Sequence, residues 1–254
     1  MRARTQGRMD RIDTGILKIT DRIIGAKIDG GHGQAVQAQV AFAREIFVGL
    51  LLVCGARNGL SGESLLRTLF EVVTSGIILA KHPEKLERFI RHARFTGLRV
   101  TRSVSAGRLG PKIQPYIAAT EQEFRELLQE FRNERWHGFG TKAAFIEAEF
   151  DPSMYDKYYR FASVIAHGQP YVTVGAGNKV RPRMKNWKAL STFPSMLGRL
   201  LMLTLLTTLV TFVDIRLMLY LVEELEELDK QLRPLSRRHI DRLNARVDEA
   251  LESF

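Results

Sequence analysis

The chain has a single cysteine, Cys54, in 254 residues. That scarcity excludes an intramolecular disulfide framework and any cysteine-based zinc finger. Only 8 prolines and 20 glycines are present, so collagen-like and low-complexity architectures are excluded as well. There is no Gly-x-Gly-x-x-Gly, Walker or Gly-x-Ser-x-Gly pattern, and Gly30-Gly31-His32-Gly33 reads as a linker. His82, His92 and His239 have no cysteine, histidine or carboxylate at ligand spacing. The sequence therefore predicts neither a metal site nor a cofactor.

Long apolar runs are also scarce. Arg2, Arg4, Arg8 and Arg11 make the start of the chain polar and basic, and no apolar core of signal-peptide length follows. A cytoplasmic protein is the expectation. The most apolar stretch is Met196 to Val222, where Arg199 and Asp214 bracket only Leu200 to Val213. A spanning helix needs about 20 mostly apolar residues. Thr204, Thr207, Thr208 and Thr211 share one helical face inside that bracket. A buried core helix is predicted, and a membrane is not an expected partner.

The sequence is rich in helical periodicity: 45% of it is hydrophobic and 26% charged, as in a folded globular chain. Ile12, Ile16, Ile19 and Ile23 carry a 3.6-residue spacing within a helix over Arg8 to Ile28. A second helix runs from Gln34 to Arg57 and ends at Asn58-Gly59 as a left-handed cap would. Ser61 reads as the N-cap of a third, to Lys81, with Arg67 between Glu63 and Glu71 in an i±4 ladder. Pro83 opens a fourth, with Leu86, Phe89, Ile90 and Ala93 inward. Residues 103 to 115 read as a loop, and an amphipathic helix follows to Arg135. Short helices start at Thr141 and Pro152.

Gly168 to Asn186 is the one candidate β element, either a short β-hairpin at about 171–183 or an irregular loop. The expected fold is therefore an all-α, single multi-helix bundle. Residues 1–30 form a basic arm and helix, 31–233 the helical core, and 234–254 a short C-terminal helix.

The net charge of +10 is concentrated. Lys81 to Pro115 holds nine bases, Arg88 and Arg91 among them, against two acids. Gly175 to Ala189 holds Lys179, Arg181, Arg183, Lys185 and Lys188 and no acid. Such clusters attract phosphate backbones irrespective of base sequence. Tyr171 and Trp187 beside the second cluster offer faces for stacking on unpaired bases. RNA or another nucleic acid is the expected partner, bound through Arg88, Arg91, Lys179, Arg181, Arg183 and Lys185.

Chemistry concentrates in residues 155 to 168. Arg160, Ser163 and His167 fall at i, i+3 and i+7 on one helical face, and His167 stands at the helix end before Gly168. The helix dipole there favours the imidazolium. An arginine can stabilise charge on a phosphate while an imidazole moves a proton, and no metal is needed. A hydrogen-bonding role for Ser163 along the helix, with His167 as a cap, is the structural alternative. Arg67 and Glu71 read as a buried pair at the same centre.

Arg160 to His167 resembles the Arg-x(4–6)-His motif of HEPN domains, and Ile165-Ala166-His167-Gly168 resembles its common ending. That resemblance implies an all-α homodimer and a metal-independent endoribonuclease of a toxin–antitoxin or phage-defence system. It gives catalytic roles to Arg160 and His167, with Ser163 or Tyr159 positioning the substrate. Phe161 stands where these proteins usually carry a polar residue. If Ser163 takes that place, Ala162 replaces the arginine, which implies a non-catalytic nucleic-acid- or protein-binding module. The chain is also similar, from about Val40 to Val213, to a bacterial family of unknown function. That similarity rests on Leu66-Arg67-Thr68-Leu69-Phe70-Glu71 and on a Tyr-x3-Tyr-x3-Ser-x3-His pattern at Tyr155, Tyr159, Ser163 and His167.

Overall fold

A computed structural model describes residues 2–104, 110–132, 134–160, 162–163, 192–209, 227 and 230. The protein is all-α, and no strand occurs among the described residues. The candidate hairpin at 171–183, the apolar helix beyond Leu209 and the C-terminal helix from 234 lie outside them. The helical content is that of the expected all-α bundle, and the chain divides into two compact units, one of residues 1–77 and 153–254 and the other of residues 78–152.

The first unit contains α1 (Arg2–Gly25), α2 (Gly31–Gly55) and most of α3 (Gly59–Lys81). It also contains α8 (Pro152–Met154) with the π-helical turn Tyr155–Tyr159, and α9 (Thr192–Leu209). The isoleucine stripe of α1 is closed to water: Ile12, Ile16 and Ile19 are 0% exposed. α1, α2 and α9 pack on one another. Gly198 allows α9 close to α2, since a Cβ there would run into the end of the Leu50 side chain, with Phe47 and Leu69 in contact beside it. Gln37 on α2 donates from Nε2 to the carbonyls of Ile23, Ile24 and Ala26 at 2.7, 3.0 and 2.9 Å. Those acceptors lie at the end of α1, where helical donors run out; of the three, the Ile23 carbonyl also accepts the Ala26 N–H at 3.3 Å.

The α2–α3 junction differs from its expected form. Arg57, not Gly59, takes the left-handed conformation, with φ 60°. The Asn58 N–H donates to the Val53 carbonyl at 2.8 Å, closing α2. The Asn58 side chain accepts from the Ser61 N–H at 3.2 Å. The N-cap of α3 is therefore Asn58, three residues before the expected Ser61, because its amide oxygen reaches the third N–H of the helix.

α2 is the one helix among the described residues long and apolar enough to cross a membrane, with 28% of its most apolar window buried. The described part of α9 is a shorter apolar helix. α2 turns Val36, Val40, Phe47 and Leu50 inward, as a bundle helix does.

The second unit contains the 3₁₀ turn Pro83–Lys85, α4 (Leu86–Val104), α5 (Gly110–Ala119), α6 (Glu121–Phe131) and α7 (Thr141–Glu147). Pro83 opens its turn at a position that needs no N–H donor. Helix extends well into the expected 103–115 loop, and the expected helix to Arg135 divides at Thr120. The core consists of Phe95, Leu98, Leu127 and Phe131, with Phe124 against it. Ile90 and Ala93, expected inward, face solvent instead, Ile90 at 55% exposure. α4 is apolar on two sides, and α6 covers the side with the larger rings.

Candidate functional site

Four polar side chains from two parts of the sequence meet in the first unit. On α3, Arg67 and Glu71 stand one turn apart, and Nη2 lies 3.0 Å from Oε1. Tyr159 donates its hydroxyl to the same Glu71 oxygen at 2.7 Å. Arg67 Nε donates to Ser163 Oγ at 3.4 Å, the long end of a hydrogen bond. The guanidinium carbon lies 5.7 Å from the Tyr159 ring centre, close enough for a cation–π attraction. Phe70 meets that ring edge-on at 6.3 Å, and Tyr155 stacks on it at 5.3 Å. These rings hold the phenol in place.

The centre is half-open, with the Arg67 side chain 21% and the Glu71 side chain 30% exposed. The expected buried pair is therefore reached by water at one edge. One carboxylate oxygen takes two donors, which fixes both. Arg67 Nη1 has no hydrogen-bond partner among the described residues.

Of the residues predicted from the Arg160–His167 spacing, Tyr159 and Ser163 join this centre. Arg160 does not: its side chain is 69% exposed and lies 3.8 Å from Asp156. The π-helical turn Tyr155–Tyr159 precedes Arg160 and shifts the register of Tyr155 relative to the residues after it. Such a turn advances the register by a residue, so an α-helical wheel does not carry straight through it. His167, Lys179, Arg181, Arg183 and Lys185 lie outside the described residues. The guanidinium beside Ser163 comes instead from Arg67, 96 positions earlier in the chain. The sequence marked Arg67 as a partner of Glu71 and through the Leu66–Glu71 likeness, not as the guanidinium beside Ser163.

The expected Glu63–Arg67–Glu71 ladder is half realised. Glu63 turns inward, is 3% exposed, and neither carboxylate oxygen has a hydrogen-bond partner among the described residues. Burial pushes its carboxyl up to about 8. Burial, with the Glu63 charge adding to it, pushes the nearby Cys54 thiol up to about 11. That thiol is a core group rather than a nucleophile.

In the second unit, the basic run on α4 meets the acids of α6 and the residues after it. Arg88 pairs with Glu134. Arg91 donates to Glu130 at 3.0 and 2.6 Å. Arg94 grips Glu123 through two donors at 2.8 Å, and Arg102 reaches Glu121 at 2.8 Å. The two described residues among the expected nucleic-acid contacts, Arg88 and Arg91, thus already hold carboxylates.

His82 also has the carboxylate partners that its sequence neighbourhood did not show. Nδ1 lies 3.0 Å from Glu84 and Nε2 2.6 Å from Glu147. The two acids occupy opposite ring nitrogens and do not converge on one point. Among the described residues, no three His, Cys, Asp or Glu side chains are placed to hold a metal ion. His137 is 4% exposed, and its Nδ1 accepts the Phe139 N–H at 3.1 Å. Burial, with Arg135 and Lys85 nearby, pushes its imidazole down to about 4.

No curated protein and no solved structure matches the chain. The model of a family of unknown function, DUF5677, matches residues 36–174. That span holds Arg67, Glu71, Tyr159, Ser163 and His167, and it stops short of the Val213 limit expected from the sequence. It covers more than half of the protein, and the chain belongs to the DUF5677 family of unknown function.

Proposed function

We propose that this protein acts on RNA as a metal-independent endoribonuclease of the HEPN type, in a toxin or phage-defence setting. The observation that supports this reading is the half-open Arg67–Glu71–Tyr159–Ser163 centre, whose last member stands four residues before His167. In the proposed reaction the substrate's 2′-hydroxyl attacks the adjacent phosphorus, and the bond to the 5′-oxygen breaks. The attacking hydroxyl's proton passes to a base, and the departing oxygen takes up a proton. The products are a 2′,3′-cyclic phosphate and a free 5′-hydroxyl. His167 carries one of those protons, and Arg67 faces the charge that develops on the phosphate. Tyr159 and Ser163 position the guanidinium. Arg160, the arginine indicated by its spacing to His167 and by the HEPN resemblance, points outward with its side chain 69% exposed.

The test is RNA degradation by wild type, His167→Ala, Arg67→Ala and Arg160→Ala side by side. His167→Ala and Arg67→Ala are expected to lose cleavage about a hundredfold or more, and Arg160→Ala to retain it. Cleavage by His167→Ala at the wild-type rate would overturn the reading.

A second reading draws on the closure of the cluster, since Glu71 accepts from both Arg67 and Tyr159. The centre then ties α3 to the segment that carries Tyr159 and Ser163, and the protein is a non-catalytic module binding nucleic acid or a partner protein. That reading expects salt-dependent RNA binding with no turnover.

A further inference from the structure

One side of the second unit gathers cations and imidazoles with few carboxylates among them. Lys85, Arg88 and His92 follow one another at spacings of three and four, which sets them on one side of the chain as it enters α4. That side meets residues 134–139. Lys85 donates to the His137 carbonyl at 2.8 Å and lies 4.3 Å from the Phe139 ring centre. Arg88 pairs with Glu134, and its Nη1 comes within 3.7 Å of the place a Cβ on Gly138 would take. Arg88 and His92 both lie against the Phe131 ring, at 5.7 and 5.1 Å from its centre.

The donors at this place outnumber their acceptors. Arg135 is exposed and makes no hydrogen bond or ion pair among the described residues. Burial lowers the imidazoles of His92 and His137 most, and the charge of Arg135 comes next for both, so the guanidinium stands near both rings. His137 Nδ1 accepts the Phe139 N–H, so the neutral ring carries its proton on Nε2. That Nε2–H has no acceptor among the described residues, and neither nitrogen of His92 has a hydrogen-bond partner there.

Elsewhere along α4 the acids are supplied. Arg91, Arg94 and Arg102 each hold a carboxylate. Here Glu134 serves Arg88, and Glu84, next to Lys85, meets His82. An anion from solution would supply what Arg135 and the two rings lack.

The donor set selects the anion. A phosphate monoester carries close to two negative charges at pH 7 and three strong acceptor oxygens. Arg135, His137 and His92 offer N–H groups for three oxygens. A carboxylate or a phosphodiester brings a single charge and two free oxygens. A nucleobase finds no open ring, since Trp136 is 5% exposed with Phe89 against it at 4.9 Å, and Lys85 covers Phe139.

We propose that Arg135, His92 and the Nε2–H of His137 form a binding site for a phosphate dianion, either inorganic phosphate or the monoester group of a small ligand. Lys85 and Arg88 add positive field behind it. The site lies within the second unit and does not depend on the RNA-cleavage reading.

The test follows the histidine ring resonances of the full chain by NMR at pH 7, as chloride is exchanged for inorganic phosphate at constant ionic strength. His92 and His137 are expected to shift and to saturate at millimolar phosphate. Arg135→Ala is expected to weaken that binding roughly tenfold or more, the loss of a charged hydrogen bond. Arg135 is exposed, so its replacement spares the core. Arg99→Ala removes another unpartnered arginine, about 10 Å farther along α4, and is expected to leave the affinity unchanged. Adenosine monophosphate binding more tightly than inorganic phosphate would identify a monoester as the source, and equal affinity the free ion. Rings that phosphate leaves unmoved, or moves no further than chloride does, overturn the proposal. So does an Arg135→Ala variant that binds phosphate like wild type. So does a 5′-hydroxyl RNA oligonucleotide that moves both rings where phosphate does not.

Discussion

The two units handle charge in opposite ways. In the first, charge lies inside. Arg199 on α9 grips Asp13 on α1 through two donors at 2.6 and 2.7 Å, with side chains only 7% and 17% exposed. Glu63 is buried with no hydrogen bond to either oxygen among the described residues. In the second, the ion pairs lie along the surface between α4 and the α6 region, with Arg91 and Arg94 side chains 47% and 44% exposed. The core there is a small cluster of rings and leucines. The same residue types therefore have different weight in the two places. A buried guanidinium is held by its only partner, and losing that partner strands a charge in low dielectric. An exposed one exchanges its carboxylate for water at little cost.

The largest effect expected from this contrast is at Arg199. Arg199→Ala leaves Asp13 without its bidentate partner, at an expected cost of about 3 kcal/mol of unfolding free energy. Replacing both residues together, Arg199→Met with Asp13→Leu, should recover most of that loss, because an apolar pair of similar volume avoids the desolvation of two charges. Urea unfolding of the single and double variants measures both. A double variant as unstable as Arg199→Ala would mean that the pair contributes through something other than its mutual satisfaction.

The contrast extends to pH. Glu63 has its carboxyl raised to about 8, against 4.5 for an unfolded chain. Below 4.5 both states are protonated and no stability is lost. As pH rises toward 8, the unfolded chain releases the proton and the folded one retains it, so the first unit weakens across that window. His137 has the opposite sign, since its imidazole is lowered to about 4 from 6.5. The second unit is at full strength above 6.5 and weakens as pH falls toward 4, where the unfolded chain binds a proton that the folded one refuses.

Going from pH 7 to 5 should therefore strengthen the first unit and weaken the second, each on the order of 2 kcal/mol. Hydrogen exchange read separately on α2 and on α6 would show the opposed trends. Glu63→Gln should flatten the first and His137→Gln the second. Parallel trends in the two helices would remove the distinction.

What is legible in the sequence follows from range. Helical spacing is local, and the isoleucines of α1 announce both a helix and its buried side. The π turn, the cap at Asn58 and the left-handed Arg57 are less visible, because backbone geometry chooses among neighbouring residues that could each serve. α4 shows a sharper limit. Periodicity identifies apolar faces, but with two of them on one helix it does not say which one meets α6, and the spacing alone points Ile90 and Ala93 to the wrong side.

The site depends on distance in the chain. Tyr159 and Ser163 are marked by their own spacing. The guanidinium that joins them lies 96 residues away, and the Glu147 partner of His82 lies 65 away. Pairings of that kind are decided by tertiary packing, and charge counting alone does not show the carboxylates that Arg88, Arg91, Arg94 and Arg102 hold.

The smallest expected effect belongs to that surface ladder, and it bears most directly on nucleic-acid binding. Arg91→Ala removes one rung, with donors at 3.0 and 2.6 Å to Glu130, and should move the unfolding midpoint far less than Arg199→Ala. High salt should have as little effect on it, since at 1 M the screening length is about 3 Å and exposed pairs are already weak. If Arg88 and Arg91 stay committed to their carboxylates, replacing both by alanine should leave RNA affinity and its salt slope unchanged. An arginine that instead neutralises a phosphate would take about one unit of that slope with it when replaced. A fall of about two for the double variant would show that phosphate displaces Glu130 and Glu134. The ladder would then be a masked nucleic-acid surface rather than a structural one, and the charge arrangement of the second unit would be functional where that of the first is architectural.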